Sequence, residues 1–283
     1  MRRFLFTLFL AIAVTGLIPF DSAAQTHNIA TFNIRWDNPN DEGNLWKDRL
    51  PHVIGVIQKY DMGIVGIQEG LEHQVDQLTN GLDYDFLGVG RDDGAKAGEF
   101  TAILYDSEKY ELLDEGTFWL SPTPDKPSKG WDAALNRICS WGKFKGKSEE
   151  TFYIFNIHYD HIGQEARVES SKLVLEKVKE INPENLPTVW IGDFNVTPEN
   201  DAYKVILENE WKDARLVSIT ESFGPRGTFT GFKWKGYDDR IIDHIFVNAG
   251  VVVSRHGIIE DSYGEKYPSD HFPVVAEVEF TKK

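Results

Sequence analysis

Strand-like apolar runs recur along this chain at spacings too tight to hold a helix between each neighbouring pair. Residues 28–34, 63–68, 100–105, 138–144, 152–157, 188–191, 241–247 and 272–280 all read this way, rich in Val, Ile and Phe. Helical periodicity is confined to fewer segments: the Leu50, Val53, Ile54 and Ile57 spacing, and about 72–79, 164–181 and 201–207. The chain opens strand, helix, strand, but several later gaps leave no room for a βαβ crossover. The expectation is an α/β domain on a mixed sheet or a pair of sheets, not a parallel barrel. No repeat, heptad or low-complexity linker interrupts it.

The runs end in chemistry. Thr188-Val189-Trp190-Ile191-Gly192 leads into Asp193-Phe194-Asn195, and strand alternation sends Asp193 and Asn195 to one face while Phe194 turns back to the core. Asn33 follows Thr31-Phe32, and Glu69 follows Gly66-Ile67-Gln68. His158, Asp160 and His161 follow Phe155-Asn156-Ile157, and Asp270-His271 follows Tyr267-Pro268-Ser269. Any one of these taken alone is better explained as a surface turn. Several together, at the ends where open α/β sheets place ligands, call for a compensating partner such as a metal. Carboxylate and amide oxygens favour a hard cation, Mg²⁺ or Mn²⁺. Histidine also suits zinc, but the chain has no His-Glu-x-x-His pattern. Ser269 beside His271 makes a poor nucleophile–base pair, because adjacent residues of an extended chain point to opposite faces.

Met1-Arg2-Arg3, an apolar stretch from Phe4 to about Phe20, and Ser22-Ala23-Ala24 before Gln25 read as a secretory signal peptide over residues 1–24. The mature domain is then residues 25–283, secreted or periplasmic, with no membrane span and expected as a monomer. A single cysteine, Cys139, rules out an intrachain disulfide. The net charge of −15 disfavours non-specific polyanion binding, which depends on basic side chains displacing counterions. It does not exclude a nuclease, since a bound divalent cation inverts the sign inside a cleft.

Taken in order, Thr31-Phe32-Asn33, Gln68-Glu69, Asn156-Ile157-His158, Gly192-Asp193-Phe194-Asn195, Ile242-Asp243-His244-Ile245 and Ser269-Asp270-His271 resemble the motifs of the endonuclease/exonuclease/phosphatase superfamily, also called deoxyribonuclease I-like. The resemblance runs from Asn28 to Phe280. It implies a four-layer α/β/β/α sandwich of two mixed sheets with helices outside, and a Mg²⁺-dependent phosphoesterase site at one end of the sheets. It further implies Glu69 as principal metal ligand, with Asn33 and Asp270 beside it directly or through water. Asp193 would orient or deprotonate the attacking water, and Asn195 would position water and phosphate. His271 would contact the phosphoryl oxygens, its tautomer fixed by Asp243. His158 would be a second phosphate-facing histidine or a general acid, with Glu99 as its carboxylate partner and Arg137 as a phosphate clamp. The chain lacks the Pro-Ala-Trp-Cys-Asp-Arg-type motif of the inositol polyphosphate 5-phosphatases.

Two long loops, 121–136 and 222–239, are rich in Gly, Pro or aromatic residues. Trp131, Phe229 and Trp234 are their candidate substrate-stacking residues. The substrate class expected is a small phosphorylated molecule, because the basic footprint of a polymer reader is missing. An extracellular DNA or RNA nuclease is the second reading. A catalytically silent glycan- or partner-binding protein is the third.

Overall fold

The computed structural model describes residues 25–281. The signal peptide expected over residues 1–24 lies outside the described residues. Strands β1 (Thr26–Asn33), β2 (Ile64–Gln68), β3 (Asp85–Leu87) and β4 (Ile103–Tyr105) belong to one sheet. Strands β5 (Tyr110–Trp119), β6 (Ile138–Gly146), β7 (Thr151–His158), β8 (Thr188–Asp193), β9 (Lys212–Asp213) and β10 (Asp243–Val247) form a second, in the order β5-β6-β7-β8-β10-β9. The chain then returns to the first sheet with β11 (Val251–Ile258) and β12 (Val274–Phe280), giving the order β11-β12-β1-β2-β4-β3. Both sheets are mixed: β1 runs parallel to β2 and β7 to β8, and the other pairings are antiparallel.

Alternation along the strands divides the core into three layers. Ile29 and Ile64 from the first sheet meet Ile154, Val189, Ile191 and Ile245 from the second in the central layer. Their neighbours Ala30, Phe32, Val65 and Ile67 face the other way, onto helices α1 (Trp46–Lys59) and α2 (Glu72–Leu82). Tyr153, Phe155, Trp190 and Phe246 likewise face α3 (Gln164–Ile181) and α4 (Asp201–Leu207). This is the four-layer α/β/β/α sandwich the motifs imply. The short α5 (Ala214–Val217) sits between β9 and β10 in sequence. No helix among the described residues is long and apolar enough to cross a membrane.

Register brings the polar strand ends to one edge of the sandwich. Asn33 pairs with Gln68 across parallel β1 and β2, and His158 pairs with Asp193 across parallel β7 and β8. Asp243, the first residue of antiparallel β10, also pairs with Asp193. Behind them a buried amide pair ties the sheets together. Gln68 Nε2 donates to Asn156 Oδ1 at 2.7 Å, and Asn156 Nδ2 donates to the carbonyls of Ile67 and Ala102 at 3.0 and 2.8 Å.

The structure adds strands that the sequence pattern did not reveal. β5 and β11 both lie at sheet edges, and each carries a bulge, between Leu112 and Asp114 and between Val253 and Arg255. A bulge shifts the two-residue alternation by one, so neither segment shows the periodicity of a strand. The run expected at 100–105 is shorter, Ile103–Tyr105, and the 241–247 run starts at Asp243. The loops at 121–136 and 222–239 contain no helix and no strand beyond isolated bridges.

Candidate active site

Three residues at this edge hold a left-handed backbone without being glycine: Arg35 at φ 58°, Glu69 at φ 64° and Asn195 at φ 51°. Such conformations cost on the order of 1 kcal/mol or more and persist where the surroundings over-determine them. Each lies just past a strand end and lines a cleft of about 430 Å³. Gly192 has φ 153°, and a Cβ there would stand 2.2 Å from the Ile157 carbonyl oxygen. Only glycine lets β7 and β8 approach this closely beneath His158 and Asp193.

One wall of the cleft is acidic. Asn33 Nδ2 donates to Glu69 Oε1 at 3.1 Å and to Asp193 Oδ2 at 3.0 Å, joining two carboxylates through one amide. Asn33 Oδ1 is taken by the Arg35 amide at 3.0 Å. The Trp36 amide donates to Glu69 Oε2 at 3.2 Å. The Arg35 guanidinium, forked onto Asp41, lies 3.8 Å from Glu69 Oε2 and 3.9 Å from Asp270 Oδ2. Burial, with Glu69 adding like charge, pushes Asp270 up to about 6 against the pull of His271, Arg35 and Arg49. A buried carboxyl raised by burial and a neighbouring carboxylate, as Asp270 is, is what a bound cation relieves, and an all-oxygen donor set suits Mg²⁺ or Mn²⁺. Glu69 and Asp270 therefore fit a divalent cation, with Asn33 bridging Glu69 to Asp193.

The other wall carries two histidines in opposite electrostatic settings. His271 Nδ1 lies 2.9 Å from Asp243 Oδ2, and its Nε2 lies 3.9 Å from Asp193 Oδ2. Burial disfavours the charged ring, yet Asp243, Asp193 and Asp270 together hold His271 well above its ordinary range. His158 Nε2 lies 3.6 Å from the same Asp193 oxygen, but burial and the Arg137 and Arg91 guanidinium groups hold that ring well below its ordinary range. Asp193 itself is pushed up to about 7 by burial and the charge of Asp243, despite donors from the Asn195 and Asn33 nitrogens. A charged and a neutral imidazole thus flank a carboxyl group poised near neutrality, an arrangement in which environment assigns acid and base roles.

Asp193, Asp243 and His271 are also a buried trio whose ligand atoms lie within 4.8 Å of one another. The 2.9 Å contact uses the Asp243 oxygen and His271 nitrogen on each other, which favours an orienting hydrogen bond there.

Most of the residues singled out in the sequence come together here. Glu69, Glu99, Arg137, His158, Asp193, Asn195, Phe229, Asp270 and His271 all line the cleft. Asn33 and Asp243 stand behind it, buried and bonded to residues that do. Glu99 is 3.9 Å from His158 Nδ1 but is forked by Arg91, at 2.5 and 2.9 Å. Arg137 is buried, with Nη1 3.0 Å from both ring nitrogens of His158 and Nη2 3.0 Å from His161 Nδ1. Asn195 Nδ2 donates to the Tyr159 carbonyl, which leaves its Oδ1 for a ligand.

Two stacking candidates are placed elsewhere. Trp234 packs on Tyr267, ring centroids 5.1 Å apart, and Trp131 is half-buried in a left-handed turn; neither lines the cleft. Phe229 does, its ring edge-on to His271 at 5.0 Å. Sequence reasoning passed over Arg35, Trp36 and Arg240, which also line the cleft. Arg35 and Trp36 directly follow Asn33-Ile34, so continuing past the strand end would have found them; Arg240 sits in a loop with no periodic signal.

The family model described as Endonuclease/Exonuclease/phosphatase family matches residues 30–271. Among solved structures, a mannosyl-6-phosphatase of Bacteroides thetaiotaomicron is 42% identical, with a TM-score of 0.87 over 90% of this chain and 100% of that one. A further endonuclease/exonuclease/phosphatase family protein of the same species is 40% identical, with a TM-score of 0.88 over 92% and 99% of the two chains. One from Bacteroides vulgatus is 42% identical, with a TM-score of 0.86 over 90% and 99%. With its fold, its strand-end chemistry and its sequence in agreement, this chain belongs to the endonuclease/exonuclease/phosphatase family, hydrolases of phosphate esters that generally use a divalent metal.

Proposed function

We propose that this protein is an exported, Mg²⁺-dependent phosphatase that releases phosphate from a small phosphorylated sugar. The observation that carries the reading is the convergence of Glu69, Asp270, Asp193, Asn195, His158 and His271 on one cleft of about 430 Å³, a volume suited to a small ligand. The 42%-identical neighbour named as a mannosyl-6-phosphatase supports a sugar phosphate, and the acidic chain argues against a polymeric anion.

Glu69 and Asp270 would hold the cation, which when bound neutralises charge on the phosphoryl and leaving oxygens. Asp193, pushed up to about 7, would take a proton from the attacking water, and Asn195 Oδ1 would fix that water in line. His271, kept protonated by Asp243, donates to a phosphoryl oxygen and offsets its growing charge. His158, kept neutral by burial and Arg137, serves as an acceptor at the resting site. Arg137 lies along that side as a positioning group for the phosphate.

The test is phosphate release by the protein lacking residues 1–24, with mannose 6-phosphate, a phosphodiester, supercoiled DNA and RNA as substrates, in Mg²⁺ and in EDTA. Release from the sugar phosphate in Mg²⁺ and its loss in EDTA are expected. DNA or RNA cleavage without monoester hydrolysis would replace the reading with a nuclease. The exported form should begin at Gln25 on N-terminal sequencing, and retention of Met1 in it would refute the cleavage.

A further inference from the structure

A second cavity, about 660 Å³ and larger than the catalytic cleft, opens on the far side of the segment that leads into β10. Successive residues of that segment alternate between the two. Arg240 and Ile242 line the catalytic cleft, while Asp239 and Ile241 line the second groove. One extended strand of backbone is therefore the shared wall, and Arg240 stands on its crest, held by Asp238 Oδ2 at 2.8 Å.

The groove's polar lining is balanced. Arg215 and Arg226 face it together with Glu221 and Asp239, and Ser218 and Thr220 add hydroxyls. Donors and acceptors are both present, with no net charge from the four ionic side chains. Such a lining suits a hydroxylated, uncharged ligand better than a phosphate, which would select one sign. Two side chains of the lining each have one atom without a hydrogen bond among the described residues. Arg215 Nε and Ser218 Oγ are buried atoms with no hydrogen bond, and the ion pair of Arg215 with Asp213 is long, 3.9 Å. Arg226 is exposed and makes no ion pair among the described residues.

We infer that this groove is a saccharide subsite, which binds the sugar residues attached to the phosphorylated one while the phosphate sits in the catalytic cleft across the wall. The inference rests on the sugar-phosphate reading above, and it makes the preferred substrate a phosphorylated oligosaccharide instead of a monosaccharide. Arg226 and Arg215 donate to sugar hydroxyls, and Glu221 and Asp239 accept from them.

Two measurements decide it. The first compares kcat/KM for mannose 6-phosphate and for a mannotriose carrying the same phosphate on its terminal sugar. The trisaccharide is expected to be favoured about tenfold or more, mainly through KM. Arg226→Ala and Arg215→Gln should remove most of that preference and leave monosaccharide turnover unchanged, and Arg226→Ala, at an exposed side chain, should also leave thermal unfolding unchanged. Equal kcat/KM for the two substrates, or a preference that survives both variants, overturns the subsite. The second is calorimetry with unphosphorylated mannotriose, which reads the groove without catalysis. Binding that Arg226→Ala abolishes supports the inference, and no binding to the wild-type protein overturns it. Absence of hydrolysis on both phosphorylated sugars would instead sink the phosphatase reading, while the calorimetry would still decide the groove.

Discussion

Asp243 Oδ2 lies 2.9 Å from His271 Nδ1, a contact between the first residue of β10 and the loop that enters β12. It joins the two sheets behind the cleft and keeps His271 charged although the ring is buried. Thr228 holds the backbone at this residue, its Oγ1 accepting from the Asp243 amide at 3.2 Å.

Replacing Asp243 by Asn removes the charge and keeps the shape. His271 then titrates lower, because burial, which disfavours the imidazolium, is no longer offset by the Asp243 carboxylate. Activity that needs charged His271 should fall by about a hundredfold or more in kcat. The alkaline limb of the pH–rate profile should also move to lower pH. An unshifted limb in Asp243→Asn would show that His271 does not titrate in the working range.

Glu69→Gln tests the cation site separately from turnover. Glu69 is the carboxylate that Asn33 and the Trp36 amide orient, and its left-handed backbone aims it into the cleft. Losing its charge should weaken Mn²⁺ binding about tenfold or more, read by calorimetry without substrate. Asn33→Ala should weaken it less, since Asn33 acts on Glu69 through a hydrogen bond. Equal Mn²⁺ affinity in wild type and Glu69→Gln would remove Glu69 from the site.

The motif residues were legible because each adjoins the end of an apolar strand, Asn33, Glu69, His158 and Asp193 where strands finish and Asp243, Asp270 and His271 where they begin, so their shared edge follows from direction and register. Asp193 with Asn195 is the clearest case, with Phe194 buried between them. The bulged edge strands β5 and β11 were not legible, since a single extra residue erases the two-residue period. Nor was the fate of the loop aromatics. Phe229 reaches His271 only because Thr228 and Thr230 tie that loop to the Asp270–Phe272 backbone, whereas Trp234 turns onto Tyr267. Aromatic composition carries no information about which of these contacts forms.

Asn156 gives a prediction about the scaffold. Its side chain makes one accepting and two donating bonds between the sheets, and it is fully buried. Asn156→Ala removes these three bonds, leaves Gln68 Nε2 with only Thr31 Oγ1 and the Gly66 carbonyl as acceptors, and opens a small cavity, which costs about 2–4 kcal/mol. For a domain of this size that lowers the melting temperature by roughly 5–10 °C. A calorimetric melting point within a degree or two of wild type would show that the amide pair contributes little.

His256 sets an acid limit on stability away from the cleft. It is buried in β11, with Nδ1 2.7 Å from Ser222 Oγ, and burial lowers it from 6.5 to about 4. Between those values the unfolded chain takes up a proton that the folded protein refuses. Its contribution is therefore complete above pH 6.5 and is lost as pH falls toward 4, by up to about 3 kcal/mol. His256→Gln cannot titrate, so its urea-unfolding free energy should decline less than that of the wild type between pH 7 and pH 4.5. Parallel declines in the two proteins would place the acid sensitivity in other groups.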